Sequence, residues 1–244
     1  MNVVLLEAHE LVDGVATIDG PRARHVLDVL ATPVGGTLRI GVIDGPLGTA
    51  EVREASAERV TLACMLESTS PPAPRVDLIL ALPRPKVLAR LFSPIAQLGV
   101  RHLVLTGAWK VERFYFDAHV LSPAEHVPLL IEGLAQARDT RLPRVSVHRS
   151  LRWFVSNELA TAIPDAGTRI VLDPSATTPI EAVLPRDPGA RVLLAVGPEG
   201  GYTGRELREL GEAGFSSASL GPRVLRSDVA TIALLARVHA ALGG

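Results

Sequence analysis

The sequence predicts an α/β protein in two parts, a small N-terminal β-barrel followed by a larger domain on a mostly parallel sheet. Three observations carry this. Residues 1–70 hold short apolar runs broken by turn signals at Asp13-Gly14, Asp19-Gly20, Gly35-Gly36, Asp44-Gly45 and Gly48. The segment STSPPAPR (68–75) reads as an extended linker. Beyond it, apolar strand-like runs alternate with helical stretches. The expected domains are therefore 1–70 and 75–244.

In the first domain, TLRIGVI (37–43) and RVTLACML (59–66) alternate apolar and polar residues as half-buried strands do. One helical stretch around Arg22–Leu30 interrupts the strands. In the second, VDLILALP (76–83) suits a buried parallel strand. Pro85 fits the first turn of the next helix and Gly99 its C′ position. RHLVLTGA (101–108) is a strand, and LLIEGLAQAR (129–138) a helix whose start Pro128 obscures. VSVHR (145–149), TRIVLDP (168–174), RVLLAVGP (191–198) and SSASLGP (216–222) are further strands. A last helix is expected over 228–242.

The 244 residues are 47% apolar, enough for a sizeable core, and 21% charged. The lone cysteine, Cys64, reads as a small core residue in a reducing compartment. No targeting segment is evident, and the apolar run Thr231–Leu242 is too short to span a bilayer. A soluble, cytoplasmic protein without membrane contact is the expectation. Charge is unevenly spread. Residues 1–70 carry net −5, residues 75–152 net +6 and residues 153–244 net −2. The middle third is thus the expected footprint of a phosphate backbone, unless it reflects only an arginine-rich composition.

Two loops carry the chemistry. Gly197-Pro198-Glu199-Gly200-Gly201-Tyr202-Thr203 leaves one strand and enters a helix that Thr203 and Glu206 cap as a box. Glycine turns at the carboxyl ends of parallel strands let a ligand approach the backbone closely. Leu220-Gly221-Pro222-Arg223-Val224-Leu225-Arg226 repeats the design, with Ser227 as expected N-cap. Neither loop is a dinucleotide or P-loop motif. No His/Cys cluster has metal spacing, so no metal is expected.

GPEGGYT (197–203) with Glu206, followed by SLGPRVLR (219–226), resembles the 16S ribosomal RNA uridine N3-methyltransferases of the SPOUT class. RARHVLDVL (22–30), PRPKVLARLFSPIAQLGV (83–100) and AQARDTRLP (135–143) extend the resemblance along nearly the whole chain. Departures from the family pattern fall at Ala31, Ala135, Asp139 and Asp228.

The resemblance implies a PUA-like barrel and a SPOUT domain with a deep C-terminal trefoil knot. It also implies a homodimer and S-adenosylmethionine as methyl donor. The donor would lie among Leu172, Asp173 and Pro174; Gly197, Pro198, Glu199, Gly200 and Gly201; and Leu220, Gly221, Pro222, Val224 and Leu225. The implied partner is ribosomal RNA or the small ribosomal subunit, with Arg22, Arg24, Lys86, Arg138, Arg141 and Arg223 as expected RNA contacts. Arg226 would neutralise a developing uracil anion or hold a phosphate, unless it forms a salt bridge to Asp228 or Glu199. Glu199 would be a base or orienter, unless it only accepts from loop N–H groups. Trp109 and Tyr115 would stack a base or pack internally. A SPOUT enzyme acting on a ribose 2′-hydroxyl and a non-catalytic RNA-binding assembly factor are the rival readings.

Overall fold

The computed structural model describes residues 3–187 and 189–243. Two compact units emerge. One holds the chain up to Ala73 together with Ile131–Leu142, and the other holds Pro74–Leu130 and the chain from Pro143 onward.

The first unit contains β1 (Val4–Leu6), β2 (Leu11–Val12), β3 (Val15–Asp19), helix α1 (Gly20–Arg24), β4 (Thr37–Val42), β5 (Leu47–Ala55) and β6 (Arg59–Leu66). A π-helical turn, His25–Val29, continues α1. The sheet runs in the order β1-β4-β5-β6-β3-β2. Its pairs are antiparallel except β1 with β4. Strand alternation turns Leu38, Ile40, Val60 and Leu62 inward onto Ala23 and Val26. The expected barrel takes the form of a curled, half-barrel sheet. Its edges are β1 and β2, of three and two residues.

Ile131–Leu142 is stitched into this unit, a feature that linker composition does not reveal. Thr140 is fully buried. Its hydroxyl donates to the Gly45 carbonyl at 2.6 Å, and its own carbonyl accepts from Asp44 N at 2.7 Å.

The second unit contains β7 (Val76–Ala81), α2 (Pro85–Gln97), β8 (Val100–Thr106), the first part of α3 (Pro123–Ala137), β9 (Arg144–His148), α4 (Leu151–Asn157), α5 (Leu159–Ala162), β10 (Thr168–Leu172), β11 (Val192–Val196), α6 (Gly204–Glu212), β12 (Ser216–Ala218) and α7 (Ser227–Ala241). Its sheet is wholly parallel, in the order β12-β10-β11-β7-β8-β9. The strands read as apolar runs because both faces are covered; every residue of β7 and β11 is buried. Pro85 opens α2, and Gly99 follows it at φ +60°. α3 starts earlier than Pro128 suggests. The Ser122 carbonyl accepts from Glu125 N and His126 N, so the first turn closes before the proline. Among the described residues no helix is long and apolar enough to cross a membrane.

One face of the sheet buries polar groups. Asp77, 0% exposed, is held by Arg191 at 2.7–2.8 Å. His102, 4% exposed, meets Ser146 Oγ at 2.8 Å. Burial depresses the His102 imidazole from 6.5 to about 4. Between those values the unfolded chain binds a proton that the folded chain does not, so stability falls as pH drops through this window. The urea midpoint should therefore fall between pH 7 and pH 5, and His102→Asn should flatten the slope. Burial also depresses His126 and His239, which add to the slope, while burial raises the Asp77 carboxyl, which opposes it. A wild-type midpoint that does not change with pH would contradict this.

Candidate functional site

Strands β12, β10 and β11 lie side by side and point the same way, so their three following loops emerge at one end of the sheet. That is where ligands bind in open parallel sheets. The loops enclose a cavity of about 270 Å3. Leu172, Asp173, Pro174, Gly197, Pro198, Glu199, Gly200, Gly201, Val224 and Leu225 line it, with Ser175, Val196, Tyr202, Leu207, Ser227 and Ala230.

Leu220, Gly221 and Pro222 are absent from that lining. Ser219 donates to the Thr178 carbonyl and accepts from Ile180 N. The start of this loop is thereby tied to the 178–180 segment, and only Val224–Leu225 reaches the cavity.

Each loop is fixed locally. In the Gly197–Tyr202 loop, Gly201 N closes a turn onto the Pro198 carbonyl at 2.8 Å, with Gly201 at φ +67°. A Cβ on Gly201 would meet no atom within 4 Å, so this residue borders open space. Tyr202 is buried, and its hydroxyl donates to the Val196 carbonyl at 3.1 Å. Burial pushes that phenol well above its ordinary value, so it stays neutral. The capping box forms as the sequence predicts. Thr203 Oγ1 accepts from Glu206 N at 3.3 Å, and Glu206 Oε2 accepts from Thr203 N at 2.7 Å. Glu206 Oε1 also accepts from Trp109 N at 2.8 Å, and Lys110 Nζ donates to the Gly200 carbonyl at 2.5 Å. The loop after β8 thus latches the glycine loop, a role no local motif signals.

Asp173 Oδ1 accepts from Ser175 N and Oγ at 2.9 and 2.7 Å and holds its own turn. The expected N-cap of α7 shifts by one residue. Arg226 takes the extended N-cap position without a side-chain cap, and Ser227 lies within the helix. Ser227 is buried there, and its carbonyl accepts from Thr231 Oγ1 at 2.7 Å.

A wider cleft of about 990 Å3 shares Glu199, Val224 and Leu225 with the cavity. Arg84, Lys86, Arg90, Phe114, Tyr115 and Arg226 line it as well. Arg226 pairs with Asp228 at 2.7 Å, one of the two ion pairs that the sequence leaves open. Glu199 pairs instead with Arg84 at 3.5 Å. Arg84 and Arg90 were not singled out by sequence reasoning. The available signal was the i, i+4 spacing of Lys86 and Arg90, which puts both on one helix face.

The other expected RNA contacts are spread over both units. Arg22 is bound to Glu10 by two hydrogen bonds, at 2.5 and 2.7 Å. Arg141 donates to the carbonyls of Pro71 and Asp44. Both guanidinium groups are engaged inside the first unit, and each keeps N–H donors to spare. Arg24 borders a pocket with Asp19 and Glu58. Arg138 is exposed at φ +58° after α3, and Arg223 is exposed beside Val224.

A sequence model of the RNA methyltransferase domain family matches residues 70–239. The "Ribosomal RNA small subunit methyltransferase E" of Treponema pallidum (strain Nichols) is 30% identical over 98% of this chain and 92% of its own length. The protein of that name from Mycobacterium bovis is 26% identical, over 92% and 86%. A ribosomal RNA small subunit methyltransferase E from Neisseria gonorrhoeae, solved bound to S-adenosyl methionine, superposes with TM-score 0.77 at 21% identity, over 98% of this chain and 97% of that one. A methyltransferase from Legionella pneumophila, in complex with the same cofactor, gives 0.79 at 20% identity, over 99% and 98%. At these identities the solved structures establish a shared fold.

Proposed function

The chain belongs to the RNA methyltransferase domain family, alongside the small-subunit ribosomal RNA methyltransferases E, and from that premise we propose that it transfers a methyl group from S-adenosylmethionine to N3 of a uridine in small-subunit ribosomal RNA. The observation that carries the reading is the cavity at the carboxyl ends of the three strands, bordered through Glu199 by a cationic cleft.

The residues fit the donor. Leu172, Val196, Val224, Leu225 and Ala230 offer apolar surface to an uncharged ring system. Gly201 leaves space at the cavity edge, and glycine-loop backbone groups are open to close approach. When bound, S-adenosylmethionine supplies a methyl group on a sulfonium centre, whose C–S bond breaks as the N3–CH3 bond forms, leaving a neutral thioether.

The protein's task is to make N3 a nucleophile and hold it in line. Glu199 accepts the N3 proton as base. Arg226 meets the charge that then spreads over O2 and O4. Asp228 engages its NH2 group, leaving other guanidinium donors for the uracil oxygens. Arg22, Arg24, Lys86, Arg138, Arg141 and Arg223 contribute phosphate contacts. No metal takes part. The half-barrel is a PUA-like RNA-binding unit, the second unit carries a deep trefoil knot, and two copies pair as a cytoplasmic homodimer.

Labelled methyl groups from S-adenosylmethionine should enter small-subunit ribosomal RNA and be retained there, undiminished by excess EDTA. Label found only in transfer RNA riboses would support the rival SPOUT reading instead. EDTA sensitivity reversed by added metal would overturn the metal-free chemistry.

A further inference from the structure

The cleft beside the donor cavity brings cations and aromatic rings together. Arg84, Lys86 and Arg90 belong to the start of α2. Of the three, among the described residues only Arg84 has an ion pair, to Glu199. Phe114 lines the same cleft and is 63% exposed. Its ring meets Tyr115 edge to face, with centroids 4.8 Å apart and planes at 81°. Both rings sit on the 3-10 turn Arg113–Asp117, braced by Tyr115 N donating to the Glu112 carbonyl. Phe114 is therefore a held ring with open surface, not a loose side chain.

We propose that Phe114 is the stacking platform for the target pyrimidine of single-stranded RNA, with Lys86 and Arg90 holding its flanking phosphates. The proposal rests on the function given above. An unpaired nucleotide offers a π face between two phosphates, and the cleft offers a ring beside two unpaired cations. A base still paired in a duplex has no free face to give. The cleft shares Glu199, Val224 and Leu225 with the donor cavity, so a base stacked there lies next to the reacting groups. Stacking tolerates any base, so selection of uracil falls to the groups that read its edge.

Fluorescein-labelled U10 RNA, followed by anisotropy, tests this together with methyl transfer to ribosomal RNA. Phe114→Ala should weaken U10 binding and lower kcat/KM by roughly 5- to 150-fold, the range of one lost base–aromatic stack. S-adenosylmethionine affinity and the melting temperature should stay near wild type, since the side chain is exposed. Phe114→Trp should restore binding, and its added tryptophan emission should be quenched by U10. Lys86→Ala and Arg90→Ala should each reduce the salt slope of U10 binding by roughly 0.7. If wild-type protein methylates ribosomal RNA and Phe114→Ala matches it in rate and U10 affinity, the platform is overturned while the function stands. If wild-type protein binds S-adenosylmethionine but methylates no RNA, the underlying reading falls, and the platform with it.

Discussion

Arg226→Ala is expected to lose roughly 10²–10³-fold in single-turnover methyl transfer, the range seen when a donor to developing negative charge is removed. Affinity for S-adenosylmethionine should be little changed. Arg226 lines the cleft and not the cavity at the strand ends, and its side chain is 68% exposed, so truncation leaves no hole in the core. Its position at the N-terminus of α7 is costly for a cation, because the helix end is already positive. Asp228 offsets that cost at 2.7 Å. Arg226→Lys keeps the charge but offers a point contact in place of a planar fork. It should retain much of the RNA affinity and still lose most of the turnover. Asp228→Asn separates the two roles. If Arg226 serves only to neutralise Asp228, Asp228→Asn should rescue Arg226→Ala. If Arg226 acts on the uracil, the double variant should stay as slow as Arg226→Ala. Single-turnover methylation by Arg226→Ala within a few-fold of wild type would remove the residue from the chemistry.

The second large effect is expected at Gly201. In wild-type protein, S-adenosylhomocysteine at about 100 times its Kd should raise the Tm by roughly 5–10 °C. NAD and ATP should give no comparable shift. Gly201→Val should abolish the response. The residue sits at φ +67° and its amide closes the turn onto Pro198. A β-branched side chain is strained in that backbone region, and at this position it projects into the open space bordering the cavity. Gly221 differs: it has φ +116° but does not line the cavity, so its replacement should strain the loop and weaken the response less. A full shift in Gly201→Val, or a wild-type protein that responds only to NAD or ATP, would contradict the cavity's assignment.

The parts legible in the sequence are those whose causes are local. Thr203 and Glu206 announce their box by spacing alone, and both hydrogen bonds form. Pro85 and Gly99 bracket α2 as their backbone preferences dictate. The parallel strands are legible because burial on both faces requires unbroken apolar runs. What failed to show depends on partners far away in the chain. Glu206 reaches Trp109 across 97 positions, and Thr140 reaches Gly45 across 95. Charge count gives the sign of Arg22 and Arg141 but not that Glu10 and two backbone carbonyls already hold them. The half-barrel's edge strands, β1 and β2, are too short to stand out as alternating patterns. Asp139, where the resembled family carries arginine, instead accepts from Thr140 N and Arg141 N at 2.6 and 3.1 Å. That departure shapes a turn in the first unit.

Methyl transfer to uridine N3 is tested most directly by nucleoside analysis by mass spectrometry of small-subunit ribosomal RNA from cells with and without this gene. N3-methyluridine should be lost from one position when the gene is deleted. Purified protein with S-adenosylmethionine should restore it, and Arg226→Ala should not. An unchanged N3-methyluridine content, or the loss of a ribose-methylated nucleoside in its place, would contradict transfer to N3.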